Sequence, residues 1–144
     1  MKATVLYYSH TGRTAGYARE IAMYLWSRGL NVSLSSLSDF NIERLKDTDL
    51  LLTGCWTCGW FVVGQHPHQK WTEISRLMAK SISPHQILLF TTYKIYTGSM
   101  FRQMKKTMQI PNNLQVPELK SKTGRLTIKD RELLDRFIKN NTSH

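Results

Sequence analysis

Short apolar runs alternate with amphipathic stretches along most of the chain. Residues 3–8 form an apolar, β-prone run, and the pattern then changes to a helical period that starts near Thr14 and stops at Gly29. One side of this first predicted helix carries Tyr17, Ala18, Ile21, Ala22, Leu25 and Trp26. A strand followed by an amphipathic helix is therefore the first predicted unit of the fold.

The same alternation repeats along the rest of the chain. Further strands are predicted at residues 30–37, 49–54, 86–91 and 113–119. The helices are predicted as a short one from Ser38 to Leu45, one ending before Pro84, a basic one at residues 99–108 and a last one capped by Thr127. Inward positions on the later helices are expected at Trp71, Ile74, Leu77, Met78, Leu133, Leu134, Phe137 and Ile138.

Five β/α units in succession predict an α/β fold. Each right-handed crossover lays its helix on the sheet, so the sheet is expected to be parallel and covered on both faces. Pro117 lies in the weakest strand and indicates a position at the sheet edge. A chain of 144 residues is expected to form a single domain, residues 1–144, without help from disulfides.

The segment between the first strand and the first helix carries the chemistry. It reads Ser9, His10, Thr11, Gly12, Arg13, Thr14. Backbone N–H groups are unpaired where a helix begins, so a phosphate can bind there. Gly12 permits the turn, and the hydroxyls of Ser9, Thr11 and Thr14 can donate hydrogen bonds to phosphate oxygens. The segment lacks the ending of a nucleotide P-loop and the glycines of a dinucleotide fingerprint, which narrows the ligand to a monophosphate.

This loop resembles that of the flavodoxin family, which has the pattern Ser/Thr-x-Thr-Gly-x-Thr at the same junction. Two more segments are similar to the family's flavin loops: Gly54 to Gly59 after the third strand and residues 91–98 after the fourth. The resemblance covers essentially the whole chain in the short-chain form of the family. It implies a flavodoxin-like three-layer sandwich with a five-stranded parallel sheet in the order 2-1-3-4-5.

The resemblance also implies a cofactor, FMN, held without a covalent bond, and single electrons carried between partner proteins. The implied FMN contacts are Ser9, His10, Thr11, Gly12, Arg13, Thr14, Cys55, Trp56, Thr57, Cys58, Gly59, Thr91, Thr92, Tyr93, Tyr96 and Gly98. Aromatic candidates for stacking on the flavin ring are Trp56, Trp60, Tyr93 and Tyr96. Which two flank the ring stays open, because the family's usual aromatic position in the first flavin loop aligns with Cys58. No catalytic residue and no metal ligand is assigned.

Cys55 and Cys58 form a C-x-x-C pair with three interpretations. They are a thioredoxin-like redox couple, half of a zinc site completed by His66 and His68, or loop cysteines that pack or contact the flavin. A thioredoxin pair lies at a helix N-terminus, and a zinc site needs four ligands at a recognised spacing. The third interpretation is therefore favoured.

Basic charge is the most unusual bulk property of the chain. The net charge is +10, and residues 94–144 carry eleven Lys and Arg against four Asp and Glu. Such charge favours acidic partners. Because no nucleic-acid motif accompanies the basic residues, we expect acidic redox proteins rather than nucleic acid. Arg13 and the basic surface depart from the asparagine and the acidic surface usual in the family, and they predict less negative reduction potentials.

Composition indicates the cellular compartment in which the protein is expected. Apolar residues make up 41% and charged residues 21%, the balance of a soluble globular protein, and no apolar run has the length of a membrane span. Two neighbouring cysteines cannot form the framework of a secreted disulfide scaffold, so a reducing cytoplasm is expected.

Two other functions stay open from the residues alone. One is an NAD(P)H-dependent quinone or flavin reductase on the same fold, in which the flavin is a catalyst. The other is a flavin-free module that binds an acidic protein or nucleic acid through its basic C-terminal half.

Overall fold

Five parallel strands form the central sheet. The computed structural model of the chain describes residues 1–9, 12–60, 63–94 and 97–142, with the backbone alone for 58–60 and 63–66. The strands of the described residues are β1 (Lys2–Tyr8), β2 (Asn31–Ser36), β3 (Leu50–Trp56), β4 (Cys58–Trp60), β5 (Val63–His66), β6 (Ile87–Thr92) and β7 (Glu118–Ser121). Of these, β4 and β5 form a separate pair outside the central sheet. The sheet has the order β2-β1-β3-β6-β7, and each pairing is parallel. Without the separate β4–β5 pair this is the order 2-1-3-4-5, which confirms the predicted topology.

In the described part of the chain, four helices cover the two faces of this sheet. They are α1 (Arg13–Ser27), α2 (Gln69–Met78), α3 (Met100–Thr107) and α4 (Ile128–Thr142). Tyr17 of α1 and Phe137 of α4 belong to the core on one face, whereas Trp71 of α2 and Met104 of α3 belong to the core on the other. The predicted three-layer arrangement is therefore confirmed. Within the described residues, no helix is both long and apolar enough to cross a membrane.

The two central strands are buried along their length. All of β6, and all of β3 except Trp56, is buried, because helices lie on both faces. Gly54 of β3 pairs with Phe90 of β6. A Cβ added at Gly54 would lie 1.9 Å from the Phe90 carbonyl oxygen, so the close approach at this point requires glycine.

The last strand is shorter and begins later than the sequence predicted. The prediction was residues 113–119, whereas β7 is Glu118–Ser121. Residues 111–114 form a turn in which the Leu114 N–H donates to the Pro111 carbonyl at 3.1 Å. The Pro117 carbonyl accepts from the Leu89 N–H at 3.0 Å, so pairing with β6 begins there. The edge position that Pro117 indicated is confirmed.

A β-hairpin occupies part of the segment that was predicted as a long loop. Strands β4 and β5 pair antiparallel, with Cys58 opposite His66 and Trp60 opposite Val63. The sequence from Trp60 to Val63 is aromatic or β-branched, and such residues favour strands. The prediction gave more weight to the glycines and prolines around this segment.

Three helical predictions need correction. Trp26 is 72% exposed, because it lies about two and a half turns after Tyr17 and so on the opposite side of α1. Leu77 is 53% exposed, since the buried face of α2 is centred on Trp71 and Met78. The short helix predicted at 38–45 is instead two 3-10 turns, Leu37–Asp39 and Ile42–Asp47, each with its own polar N-cap. The Thr127 cap of α4 is confirmed, because its hydroxyl accepts from the Asp130 N–H at 3.2 Å.

Candidate functional site

The predicted cofactor segments meet at the carboxyl ends of β1, β3 and β6. In parallel sheets this is the edge at which ligands bind. The Thr57 N–H donates to the Thr92 carbonyl at 2.8 Å, which joins the segments after β3 and β6. The Tyr93 N–H donates to the Ser121 carbonyl at 3.1 Å. A fourth segment, residues 121–127 after β7, therefore also reaches this edge, and sequence reasoning did not include it.

The first segment ends in a helix start that suits an anion. Gly12 is the N-cap residue of α1, with φ 89°, and it has no side chain to cap the helix. The first turn of α1 holds no acidic residue. The Gly12 N–H donates to the Ser9 hydroxyl oxygen at 3.0 Å, and Arg13 is exposed. A Cβ on Gly12 would find no described heavy atom within 4 Å, so space is open beside the helix start. His10 and Thr11 lie outside the described residues.

Thr14 and Thr92 tie the start of α1 to the end of β6. Their hydroxyl oxygens are 2.6 Å apart, and both side chains are buried. One hydroxyl donates to the other, so the pair keeps one O–H for a further acceptor. This contact joins the first predicted segment to the third across 78 residues of sequence.

Thr57 and Thr91 form a second hydroxyl contact between the segments after β3 and β6. The Thr91 hydroxyl donates to the Cys55 carbonyl at 2.6 Å, and its oxygen lies 2.9 Å from the Thr57 hydroxyl oxygen. Because the single Thr91 proton points to a carbonyl, Thr57 is the donor in this pair. The two predicted flavin loops are thus held at a defined separation by side-chain as well as backbone hydrogen bonds.

Trp56, the first aromatic candidate, is part of a cluster in which three rings belong to fully described residues. It stacks on Tyr8 with a centroid distance of 5.2 Å and an interplanar angle of 25°. His68 stacks on Tyr8 at 4.6 Å and lies 4.7 Å from the Trp56 ring. Lys70 Nζ is 5.9 Å from the Tyr8 ring centroid. Tyr8 was not predicted as a site residue, although its place at the end of β1 was an available signal.

Tyr93 is the aromatic candidate of the third segment that the structure describes. It is half-buried, and Lys122 Nζ lies 5.9 Å from its ring centroid. Gly98 closes this segment with φ 50°, one residue after Thr97, whose carbonyl accepts from the Met100 N–H at 2.8 Å. Tyr96 lies outside the described residues. Cys58, Gly59 and Trp60 form β4, and their side chains are not described.

The segment after β7 packs on the first turn of α1. Gly124 has φ 84°, and a Cβ added to it would lie 2.8 Å from the Arg13 carbonyl oxygen. The Gly124 N–H donates to the Ser121 hydroxyl at 2.9 Å, which holds the turn in place. The same turn carries Lys122 and Arg125, both exposed. Cationic side chains from two distant parts of the sequence therefore lie on the segments that border the predicted phosphate loop.

Cys55 is fully buried in the core beside α2 and α3. This placement supports packing as its role, which was the favoured interpretation of the cysteine pair. Among the described residues, no group of three or more His, Cys, Asp or Glu is arranged to hold a metal ion.

Comparison with known proteins decides the family. A family model described as Flavodoxin matches residues 5–109, which include the end of β1 and all of α1, β3 and β6. The chain belongs to the flavodoxin family. Membership carries the function of that family, FMN binding and electron transfer. A flavodoxin of Clostridium beijerinckii is 29% identical over 104 residues, which cover 72% of this chain and 73% of that relative.

A flavoprotein subunit also matches part of this flavodoxin-family chain. The NADPH sulfite reductase flavoprotein alpha-component of Shewanella sp. (strain ANA-3) is 32% identical over 81 residues. The match covers 56% of this chain but 13% of that relative, so it concerns a small part of a longer protein.

Solved flavodoxins share the fold. The two-electron reduced flavodoxin of Megasphaera elsdenii aligns with a TM-score of 0.77 at 20% identity, over 95% of this chain and 98% of that one. A Streptococcus pneumoniae TIGR4 flavodoxin aligns with a TM-score of 0.73 at 14% identity, over 99% of each chain. At these identities the likeness establishes the fold.

The described residues fit the chemistry of FMN. A phosphate needs several donors and no neighbouring carboxylate, and the start of α1 provides N–H groups with no acidic residue in the first turn. The flat ring system needs aromatic or apolar faces, and Trp56 and Tyr93 lie on the two adjoining segments.

Proposed function

We propose that this chain, as a single domain of residues 1–144, holds FMN at the carboxyl edge of its sheet and carries electrons one at a time between partner proteins. The observation that carries the proposal is the hydrogen-bonded junction of its three predicted loops. The Thr14–Thr92 contact of 2.6 Å and the Thr57–Thr91 contact of 2.9 Å join the segments after β1, β3 and β6. These are the segments that the family resemblance assigns to the cofactor.

The phosphate is proposed to bind at residues 9–14. The N–H groups at the start of α1 carry the positive end of the helix dipole, and Gly12 leaves space beside them. The spare O–H of the Thr14–Thr92 pair supplies a further donor. Arg13 adds a positive charge from the same turn. His10 and Thr11 are retained as proposed contacts on the resemblance alone.

The ring is proposed to lie between residues 54–59 and residues 91–98. Thr57, Thr91 and Thr92 hold these two segments together, so the distance between the walls of the ring site is set before the cofactor binds. Trp56 and Tyr93 are the described aromatic side chains on the two sides. Cys55 is proposed to support the ring site from the buried core. Cys58, Gly59, Tyr96 and Gly98 remain proposed contacts of FMN. FMN, when bound, supplies the redox chemistry, and these residues bind it, orient it and exclude water.

The partners are proposed to be acidic redox proteins in the cytoplasm. The net charge of +10 supports an acidic partner, and the small number of cysteines supports a reducing compartment. The reductase and flavin-free alternatives are not favoured, because the family match supports an electron carrier and the joined loops support a flavin site.

A valine at Thr14 tests the proposed phosphate site. Valine keeps the shape of threonine and removes the hydroxyl, so the Thr14→Val variant loses the Thr14–Thr92 hydrogen bond and one of the two O–H groups of that pair. We expect its Kd for FMN to rise about tenfold or more, since a hydrogen bond to a charged group contributes about 1.5–3 kcal/mol. Quenching of FMN fluorescence on titration with the apoprotein measures the Kd.

The matched control is Thr142→Val at the exposed end of α4, which is expected to bind FMN as the wild type does. Circular dichroism checks that both variants are folded. A folded Thr14→Val variant with wild-type affinity would contradict the proposed phosphate site.

A further inference from the structure

Helix α3 presents a basic outer surface. Its inner side buries Met100 and Met104, while Arg102 and Lys106 are exposed and Lys105 is partly exposed. The helix Met100–Thr107 contains no acidic residue. We call the outer surface of α3, with Gln109 directly after it, the basic ridge. Its cations are not among the residues proposed to hold FMN, so their arrangement requires its own explanation.

A groove runs along each side of the basic ridge. The groove between α3, the following turn and β7 has a volume of about 990 Å³. The groove between α2 and α3 has a volume of about 570 Å³. Lys106 and Gln109 line both grooves, so the two grooves and the ridge form one continuous surface.

The charge of this surface is largely uncompensated. In the first groove Lys105 Nζ pairs with Glu118 at 2.7 Å, whereas Arg102, Lys106 and Lys120 make no ion pair with any described residue. In the second groove Arg76 and Lys80 join Lys106, and no carboxylate is among the described lining residues. A surface with this excess of cations attracts an acidic partner and repels a basic one.

Gln109 shows that the ridge keeps a polar side chain at a conformational cost. Its φ is 56°, and it is the one non-glycine residue with positive φ among those described. The Gln109 N–H donates to the Lys106 carbonyl and the Ile110 N–H to the Lys105 carbonyl, the hydrogen bonds of a helix end where glycine is usual. Glycine would remove the strain but also the amide group that lines both grooves.

The first groove has an apolar floor as well as a charged rim. Phe101, Ile110, Pro111 and Leu114 line it beside the cations. Apolar contacts flanked by charges are typical of a protein interface, whereas the phosphate backbone of a nucleic acid makes chiefly polar contacts. The composition of the groove therefore favours an acidic protein over a nucleic acid.

The ridge adjoins the proposed FMN site. Thr97 and Gly98, which close the second flavin loop, also line the first groove. We propose that the basic ridge is the docking surface for an acidic redox protein, a proposal that rests on the function proposed above. A partner bound there contacts the loop that ends at Gly98 and so approaches the cofactor without covering the phosphate loop.

Charge reversal on the ridge tests this proposal in the FMN-loaded full chain. The probe is a plant-type [2Fe–2S] ferredoxin with an acidic surface, titrated by calorimetry. The double variant Arg102→Glu/Lys106→Glu is expected to raise the Kd for ferredoxin about tenfold or more. The control Lys129→Glu/Arg136→Glu makes the same change of net charge on α4, where both residues are exposed, and is expected to change the Kd less than about twofold.

Gln109→Gly supplies a variant that separates binding from folding. Because glycine relieves the strained φ, the thermal unfolding temperature of this variant is expected not to fall. The affinity of the variant for ferredoxin is expected to fall, because the Gln109 amide group is lost. A residue with a purely structural role would change the unfolding temperature and leave the affinity unchanged.

Four results would overturn the docking surface. The first is the absence of ferredoxin binding at low ionic strength, and the second is an equal loss of ferredoxin affinity in the ridge and α4 variants. The third is wild-type ferredoxin affinity in Gln109→Gly, and the fourth is equally tight binding of a duplex DNA oligonucleotide to the ridge.

FMN titration of each variant keeps the docking proposal and the proposed function separate. A chain that binds FMN but loses no ferredoxin affinity in the ridge variant contradicts the docking surface alone. A chain that binds ferredoxin on the ridge but not FMN contradicts the proposed function and supports the acidic docking surface.

Discussion

At the scale of single residues, Tyr17 links the core to the last helix through a buried hydroxyl. It is fully buried, and its O–H donates to the Asp130 carboxylate at 3.1 Å. Burial first, then the charge of Asp130 and the hydrogen bond to its carboxylate, raise the pKa of Tyr17 far above its ordinary value. The folded chain therefore keeps Tyr17 neutral at pH values at which the unfolded chain ionises it, above about pH 10.

This shift predicts how stability changes with pH. The contribution of Tyr17 is fully present below about pH 10 and is lost as the pH rises further, because only the unfolded state releases the proton. The Tyr17→Phe variant is expected to be about 1 kcal/mol less stable at neutral pH, since it lacks the hydrogen bond to Asp130. It should then lose less stability than the wild type between about pH 9 and pH 11. Urea denaturation across this range measures both effects, and parallel stability curves would contradict the account.

The sequence predicted the start of α1 well, because the signal is local: Gly12 is its N-cap and Thr14 lies in its first turn. The binding of an anion by Ser9, Gly12 and Thr14 stays a prediction. The partner of Thr14 is Thr92, and the residue that packs on Arg13 is Gly124. Neither contact could be predicted, because each depends on how the strands and loops meet in three dimensions.

At the scale of secondary-structure elements, the contact between β3 and β6 depends on one glycine. A Cβ at Gly54 would lie 1.9 Å from the Phe90 carbonyl oxygen and 2.6 Å from the Phe90 ring. The Gly54→Ala variant must separate two central strands, so we expect a loss of about 3 kcal/mol or more in the free energy of unfolding. Urea denaturation measures the loss.

Gly16 provides the opposite case for the same substitution. It lies inside α1, and a Cβ there would meet no heavy atom within 4 Å. Gly16→Ala is expected to stabilise the chain by about 0.5–1 kcal/mol, because alanine favours the helix more than glycine does. Equal effects of the two substitutions would show that the packing of β3 on β6 does not set the requirement for glycine at position 54.

The sequence predicted most helices and strands, because their hydrophobic periodicity and the residues that mark their ends are strong signals. The exceptions have separate physical causes. The start of strand β7 was predicted too early in the chain. Residues 113–117 are apolar enough for a strand, but they form the end of a turn and the segment that leads from it to β7. The β4–β5 hairpin was missed because β-prone residues near Trp60 lie among glycines and prolines. These cases depend on tertiary pairing, which periodicity does not report.

At the scale of the whole molecule, positive charge is predicted to set the redox potential. Residues 94–144 carry eleven Lys and Arg against four Asp and Glu, and Arg13 and Lys122 lie on segments that border the phosphate loop. A unit charge at ~10 Å contributes roughly 0.4–1.7 kcal/mol for a dielectric constant of ~80 to ~20. We expect the bound FMN to have a less negative reduction potential than in acidic flavodoxins, because cations stabilise the reduced anion.

Potentiometry of the holoprotein and of Lys122→Gln measures this effect. The variant is expected to have a more negative potential than the wild type, while Lys129→Gln on α4 serves as a control with the same loss of charge. A wild-type potential as negative as those of acidic flavodoxins would contradict the electrostatic argument.

The central claim is that the carboxyl edge of the sheet recognises FMN through its phosphate, and the most direct measurement compares FMN with riboflavin. Each is titrated into the apoprotein, and quenching of flavin fluorescence gives the two Kd values. We predict micromolar or tighter binding of FMN and binding of riboflavin weaker by about 100-fold or more, since two or more hydrogen bonds to a charged phosphate are lost. Equal affinity for the two flavins, or no binding of either, would contradict the claim.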